Sequence, residues 1–431
     1  MKKIFLMRAL ILPVLFIFFA ADFAQAQTDK KFSADFEGFF RNRYEYFVNS
    51  ADAGFSGKDE KSYFRFKFSG AAEISYGNLV SAYIRFTSES RSYIKNAGKP
   101  AAYDINEIAA DNFFILFAPL CGALEIKAGR MDLRGAQYAE GFLLDDGTPL
   151  DGSRTFYFNG AGLKYRRREN RIEMLAFYNP EKDFLPVING KDRRLNSADE
   201  TGAALFAGLR VCDEIYFEPY YVWKKAENAQ DKLFAGKTLT NAFGSFVKYK
   251  SGKLSVKAQA ALQIGEYDGK AGLGYGGYLF ADYSFSAYAK PQAGIMYLSG
   301  DNAGTERQEG WNPLFSRGAY MSEIAASLYS YESGYGCWTN LLLYNIEMQS
   351  KPFDKLTLKA AYMHLKANEN VSGAIFAAGK TRGNLIMCKA AFGFSENLSA
   401  SVSGEYFIPG GFYYKGAKDA VFLRAEAVFK I

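Results

Sequence analysis

Apolar and polar residues alternate along most of this chain. Between residues 63 and 76, Phe64, Phe66, Phe68, Gly70, Ala72, Ile74 and Tyr76 share one parity; Arg65, Lys67, Ser69, Ala71, Glu73 and Ser75 share the other. Successive side chains of a strand point to opposite faces, so this segment spells one long amphipathic strand. Tyr76-Gly77-Asn78 is a tight-turn signal, and Val80, Ala82, Ile84 and Phe86 then alternate with Ser81, Tyr83 and Arg85. Leu254, Val256, Ala258, Ala260 and Leu262 repeat the theme, as do Leu423, Ala425, Ala427, Phe429 and Ile431 at the end of the chain. The pattern predicts eighteen strands, beginning with 34–48 and 62–76 and ending with 398–410 and 419–431; 121–130, 154–167 and 336–350 lie among them. Near Tyr362-Met363-His364 the alternation slips and assigns no face.

The connections alternate in length. Eight are short, and most of the nine between them are long, including 49–61, 131–153, 180–199 and 301–335; the exception, near 268–271, is brief. Strands of 10 to 15 residues exceed the usual five or six of soluble sheets. A soluble sandwich would show the same alternation. Strand length and short turns opposite long loops favour a transmembrane antiparallel β-barrel of about eighteen strands, all-β and a single domain. An even count puts both termini on the short-turn, periplasmic side.

Composition supports this class. Tyr (30) and Phe (39) are abundant, and Pro (11) and His (1) are scarce. About half of the residues are hydrophobic, yet mean hydropathy is −0.17, so apolar residues are interleaved rather than gathered into helical membrane spans. The aromatic content excludes a disordered chain. The first residues read as an export signal: Lys2, Lys3 and Arg8, then an apolar stretch over 9–20, then Ala24-Gln25-Ala26 as a cleavage site. Residues 1–26 are therefore expected to be a signal peptide, and 27–431 an outer-membrane barrel with long extracellular loops. A short N-terminal membrane anchor is the alternative. No plug domain is expected before the first strand.

Net charge is +6 for the whole chain and about +4 after the signal, too mild to imply a nucleic-acid partner. Cys121, Cys212, Cys337 and Cys388 form no CxxC pair, so no zinc site is expected, and isolated buried thiols are the simplest reading. His364 stands alone and no GxSxG pattern accompanies it, so neither a catalytic triad nor an enzyme is expected. No metal and no cofactor are implied. The expected partners are outer-membrane lipid, the barrel assembly machinery and an anionic saccharide or small anion.

Function then lies in the lumen and the loops. The face opposite the lipid carries Arg41, Arg43, Arg65, Lys67, Arg85 and Arg424, along with Lys164, Arg166, Lys248, Lys250 and Lys257; Glu37, Glu45, Glu73, Glu125, Glu173 and Glu426 share it. Such residues also serve as salt-bridged filler. Collectively a cationic lumen favours anions, because a low-dielectric wall focuses its field. Arg130 and Arg134 precede the long loop 131–153, which holds Asp145 and Asp146, and Arg154 follows it. Arg130 has the wrong parity to face inward unless Gly129 forms a bulge. An inward fold, fixed by Asp–Arg contacts, would make this loop a constriction; an outward loop is the alternative.

These residues also carry a resemblance. Gly129-Arg130, Leu133, Arg134, Gly141-Phe142, Asp145 and Arg154-Thr155-Phe156 resemble the alginate export family of outer-membrane porins, as do Leu298-Ser299-Gly300-Asp301 and Trp311-Asn312-Pro313-Leu314-Phe315. Met131 departs from the Gln that often follows the family's Gly-Arg. The resemblance implies an eighteen-stranded barrel in the outer membrane of a Gram-negative-type bacterium, with an arginine-rich constriction that passes a polyuronate outward. It implies Arg130, Arg134 and Arg154 in that constriction, with Asp145 or Asp146 as acidic partners. The function expected is a passive channel for anionic solutes. The alternative is a general or structural/adhesive barrel whose loops bind a partner; the loop 301–335 is long enough for that, with Trp311 and Trp338 at hand.

Overall fold

The computed structural model describes residues 31–431, apart from 58, 101–102, 106–107, 135–137, 146–156, 184, 186–192, 195, 287, 317–321 and 335–337. The expected signal segment, with its cleavage site, lies outside the described residues.

Eighteen antiparallel strands form the wall: β1 (Phe32–Val48), β2 (Lys61–Tyr76), β3 (Val80–Asn96), β4 (Ala109–Phe117), β5 (Leu124–Met131), β6 (Phe158–Arg167), β7 (Asn170–Asn179), β8 (Asp199–Arg210), β9 (Ile215–Ala229), β10 (Gly236–Ser251), β11 (Leu254–Tyr267), β12 (Lys270–Tyr283), β13 (Lys290–Leu298), β14 (Leu341–Phe353), β15 (Leu356–Lys366), β16 (Thr381–Gly393), β17 (Leu398–Pro409) and β18 (Ala420–Lys430). Each pairs with its neighbour in sequence. The sheet closes where β18 pairs with β1, with Glu426 opposite Arg43 and Arg424 opposite Glu45. Closure removes the exposed sheet edges that no lipid could satisfy. Among the described residues no helix is long and apolar enough to cross a membrane.

The outer face is apolar, with Phe68, Ile74, Ile346 and Val402 all more than half exposed. Phe32, Phe285, Tyr288, Phe353 and Phe394 are exposed at the short-turn end and form an aromatic girdle there. Turn chemistry explains the one brief connection on the long-loop side. Asp268 and Gly269 both have positive φ, +49° and +84°, as a two-residue hairpin turn requires.

Several boundaries move from expectation. β5 begins at Leu124, because the connection after β4 is a 3-10 turn over Leu120–Gly122. Pro119 lacks the N–H a ladder needs, and Leu120 and Gly122 take positive φ. β6 is described from Phe158 and β14 from Leu341. The slip near His364 resolves once the lumen is seen. Tyr362 faces outward and is exposed, while Met363 and Leu365 face inward and are buried. The inner wall is apolar here because it packs against protein rather than water.

That packing is the main departure from a simple porin lumen. The described parts of the connection from β5 to β6 and of the connection from β13 to β14 both turn into the barrel. They meet in a short parallel ladder, Leu144 and Asp145 beside Phe315 and Ser316. Phe142 is wholly buried between Trp311 (ring centroids 4.7 Å), Trp338 (5.9 Å) and the wall residue Tyr278 (5.6 Å). This cluster is continuous with inward residues such as Phe177, Phe206, Val222, Met296, Leu343 and Leu385. Helix α1 (Glu323–Glu332) completes the filling. Ser322 caps it by accepting the Ala325 N–H at 3.1 Å, and Ile324, Leu328 and Tyr329 form its buried stripe.

The free thiols differ from expectation. Cys212 and Cys388 are both exposed. Cys212 sits in the short β8–β9 turn, and Cys388 lies on β16 next to the outward Ile386–Tyr406 pair. The side chain of Cys121 and all of Cys337 lie outside the described residues.

Candidate functional site

Adjacent inward faces of β18, β1, β2 and β3 bring six predicted cations together. Register places Arg41 opposite Lys67 and Arg43 opposite Arg65, and β18 sets Arg424 beside this pair of strands. Like charges directly opposite destabilise a sheet, so carboxylates are interleaved. Arg65 bonds Glu89 at 3.0 Å and Glu45 at 3.1 Å. Arg424 reaches Glu45 at 2.6 Å and Glu323 of α1 at 2.7 Å. Arg43 bonds Glu426. Arg85 holds Asp111 at 2.9 Å and Asp132 at 2.9 Å. Arg41 differs: it is buried, yet Glu89 and Glu426 come only within 3.9 and 4.0 Å.

The loop after β5 crosses the lumen by a sequence of wall contacts. Asp132 takes Arg85 and, at 2.8 Å, the Asn112 amide. The Tyr138 hydroxyl donates to Glu173 on β7 at 2.8 Å. The Ala139 N–H donates to Glu218 on β9 at 2.9 Å, and Lys257 on β11 donates to Glu140 at 3.0 Å. The inward fold is thus the one adopted by the described part of 131–145. Gly141 and Glu140 both take positive φ, and so does Ala139, which is how the chain turns back on itself there.

The second inward connection is anchored as firmly. Asn312 and Gln263 exchange two hydrogen bonds, and Lys224 donates to the Leu314 carbonyl at 2.8 Å. The wall carboxylate of Glu405 accepts from the Ser322 hydroxyl and, at 3.0 Å, from the N–H groups of Glu323 and Ile324. It satisfies the donors that every helix N-terminus leaves open. Glu332 ends the helix, where a carboxylate is unfavourable. Arg382 compensates with two bonds of 2.6 and 2.7 Å, and its guanidinium lies 4.2 Å from the Phe412 ring centroid.

The other predicted residues are placed less uniformly. Arg130 is not turned inward. The β4–β5 and β5–β6 ladders run in register through Gly129 without a bulge, so Arg130 keeps the parity of outward Phe113. It is buried at the loop end of the wall, donating to Asn159 at 3.0 Å, to the Ala110 carbonyl at 2.8 Å and to Asp183 at 3.1 Å, over the Tyr157 ring. Burial works to raise the Asp183 carboxyl, but the neighbouring Tyr157 and Arg130 outweigh it and hold it below the usual carboxylate range. Arg134 is exposed, 3.9 Å from Asp132. Asp145 lies in the lumen, in the ladder with Ser316. Asp146 and Arg154 lie outside the described residues. Trp311 and Trp338 are buried, 0% and 1% exposed, so they hold the lumen filling and are closed to an outside partner.

Gly129 explains the straight register. Its φ is +134°, and a Cβ there would stand 2.3 Å from the Phe113 carbonyl oxygen. Gly129→Val is therefore expected to block assembly, read as loss of the heat-modifiable folded band in a gel and of membrane-inserted protein.

A family model described as alginate export matches residues 32–374. The chain belongs to the alginate export family. Its closed barrel and this membership make the protein an outer-membrane channel of a Gram-negative-type bacterium. Among curated proteins none matches the chain by sequence. Solved porins share its fold. OprD of Pseudomonas aeruginosa is 12% identical, with TM-score 0.57 over 92% of this chain and 93% of that one. OccK8 (OprE) of the same organism is 9% identical, with TM-score 0.58 over 93% and 98%. At such identities the likeness concerns the fold alone. Within the alginate export family pattern, several residues here give no motif signal: Glu89, Asp111, Asp132, Glu218, Glu332, Arg382 and Glu405. They are charged residues in ordinary alternating strands or loops, and only their partners reveal them.

Proposed function

We propose that this alginate export family channel passes acidic saccharides, of alginate-like polyuronate type, by passive diffusion along the arginine wall of β18, β1, β2 and β3. The apolar filling packs against wall residues from Phe158 on β6 to Phe422 on β18 and meets the charged wall through Asp132 on Arg85 and Glu323 on Arg424, so Arg41, Arg43, Arg65 and Lys67 are the part of the wall proposed to meet a polar solute. The observation that carries the reading is Arg41. It is buried, and its Nε and Nη2 find no acceptor among the described residues. A buried guanidinium without an acceptor is costly, and a carboxylate answers it with paired hydrogen bonds. Lys67 across the ladder and exposed Arg134 extend the same cationic path. With Arg154, Arg134 is proposed to complete the constriction, and Asp145 and Asp146 to tune it. Outer-membrane lipid is the proposed surround of the apolar outer face, and the assembly machinery is proposed to read β18. The reading is of transport without catalysis: His364 bonds Asn384 at 2.8 Å and stands opposite Tyr344, away from the lumen.

Ion selectivity in planar bilayers under a salt gradient tests this. The wild type is expected to prefer anions and to be blocked by an oligouronate. Arg41→Gln with Arg134→Gln is expected to lower both the anion preference and the block at least about tenfold, since each substitution removes a charged hydrogen-bonding group. A cation-preferring pore, indifferent to these substitutions, overturns the proposal.

A further inference from the structure

The connection from β1 to β2, on the long-loop side of the barrel, holds two buried acids. Asp52 and Asp59 are only 7% and 6% exposed. Each carboxylate commits one oxygen to the backbone of its own loop. Asp59 Oδ2 accepts the Ala51 N–H at 2.8 Å and the Asp52 N–H at 3.5 Å, and Asp52 Oδ2 accepts the Ser56 N–H at 3.0 Å. The second oxygen of each, Oδ1, is shielded from solvent and has no hydrogen-bond partner among the described residues. Neither acid makes an ion pair, although the Lys418 side chain passes close to Gly54 in the same turn. Elsewhere the molecule treats buried acids differently. Glu45, Glu89, Asp111, Asp183 and Glu332 each hold an arginine. A buried charge is paired with an opposite charge or binds a metal ion, and an orphaned buried oxygen points to a missing ligand.

The turn is built into the seam where the barrel closes. The Ala53 carbonyl accepts from the Lys418 N–H at 2.9 Å and from the Tyr414 hydroxyl at 3.3 Å. Asn49 Nδ2 donates to the Asp419 carbonyl at 2.9 Å, and Phe55 meets Tyr414 edge-on with ring centroids 5.3 Å apart. Residues 414–419 lead directly into β18, the strand that pairs with β1.

We infer that Asp52 and Asp59 bind a calcium ion, which fastens the β1–β2 connection at the seam of the barrel. Seven residues separate the two acids, a spacing that carries no metal motif in the sequence. Among the described residues no three acidic, histidine or cysteine side chains form a metal cluster. Two carboxylates are therefore the charged ligands, and backbone carbonyls and water complete the shell. Their two charges match a dication. An all-oxygen shell of this kind suits calcium, which tolerates irregular geometry, better than zinc, which favours nitrogen and sulfur. The inference rests on the closed barrel and is independent of the arginine wall.

Terbium luminescence of the full-length, chelator-washed protein in detergent tests it, with calcium and magnesium chloride as competitors. Tyr414, bonded to the loop, is the expected sensitiser. Terbium emission excited through tyrosine is expected to saturate and to be displaced by calcium at roughly 0.1–1 mM, the range of extracellular sites. Magnesium is expected to compete at least tenfold more weakly, because it demands near-ideal octahedral geometry. Calcium is also expected to raise the temperature at which the folded gel band is lost. Asp52→Asn with Asp59→Asn is expected to weaken calcium competition at least tenfold and to abolish the thermal shift. In chelator this double variant is expected to resist heat at least as well as the wild type, since it removes two unpaired buried charges and keeps the oxygens that accept the backbone N–H groups. Asp354→Asn, at an exposed short turn, is expected to change neither readout. A calcium response that persists in the double variant, terbium that calcium does not displace, or magnesium as effective as calcium overturns the inference. So does a double variant that is less heat-resistant than the wild type in chelator, which would make the two acids structural without a metal.

Discussion

Replacing Phe142 and Trp311 together with alanine is expected to raise single-channel conductance severalfold. Both side chains are fully buried, and they touch each other across the two inward connections. Deleting a large buried aromatic costs about 3–5 kcal/mol, and adjacent deletions are not additive. The barrel wall is held by its own backbone ladder, so the loss falls on the lumen filling rather than on the closed sheet. The expected signature is a larger, noisier conductance from a protein that still runs as a folded barrel. An unchanged conductance would mean that the filling keeps its place without this cluster.

Arg382→Met is expected to release the end of α1 and destabilise the filling by about 3–5 kcal/mol, because it leaves Glu332 buried without its partner. Glu332→Gln is expected to cost a similar amount, since it strands Arg382. The double variant is expected to lose much less than the sum, because no uncompensated charge remains. Denaturant unfolding followed by Trp fluorescence reads this, as Trp311 and Trp338 both sit in the filling. Additive losses would show that the two residues act separately.

Much of this was legible along the chain. Period-two alternation names the strands, because lipid on one side and a filled or wet lumen on the other impose opposite demands on neighbouring residues. Turn residues separate the hairpins, and the inward parity of Arg41, Arg43, Arg65, Lys67, Arg85 and Arg424 follows from the same count. Where the count gave out, as at Tyr362 to His364, the cause was a lumen lined by protein. Met363 and Leu365 look outward by hydrophobicity and are inward by position.

The site was less legible, and particular residues show why. Arg130 depends on whether Gly129 interrupts the register, and backbone clearance at Phe113 decides that. Asp132 resembles any loop acid until Arg85 is seen beside it. Trp311 and Trp338 look like loop aromatics open to a partner until Phe142, far from both in sequence, is placed between them.

The class of the protein, an eighteen-stranded barrel, apolar outside, with an arginine-bearing lumen, is written in the chain itself. Local periodicity suffices for that, since each strand reports its two faces independently. Which charges are paired and which remain is set by how the folded barrel brings distant strands together. Arg43 and Glu426 are 383 residues apart, and Arg424 and Glu45 are 379 apart. Barrel closure brings them together, and no local pattern encodes such a pairing. The inward turn of two long connections likewise depends on apolar surface on the opposite wall. For that reason Arg41, held only at 3.9 and 4.0 Å from its carboxylates, stands out only after every other partner has been found.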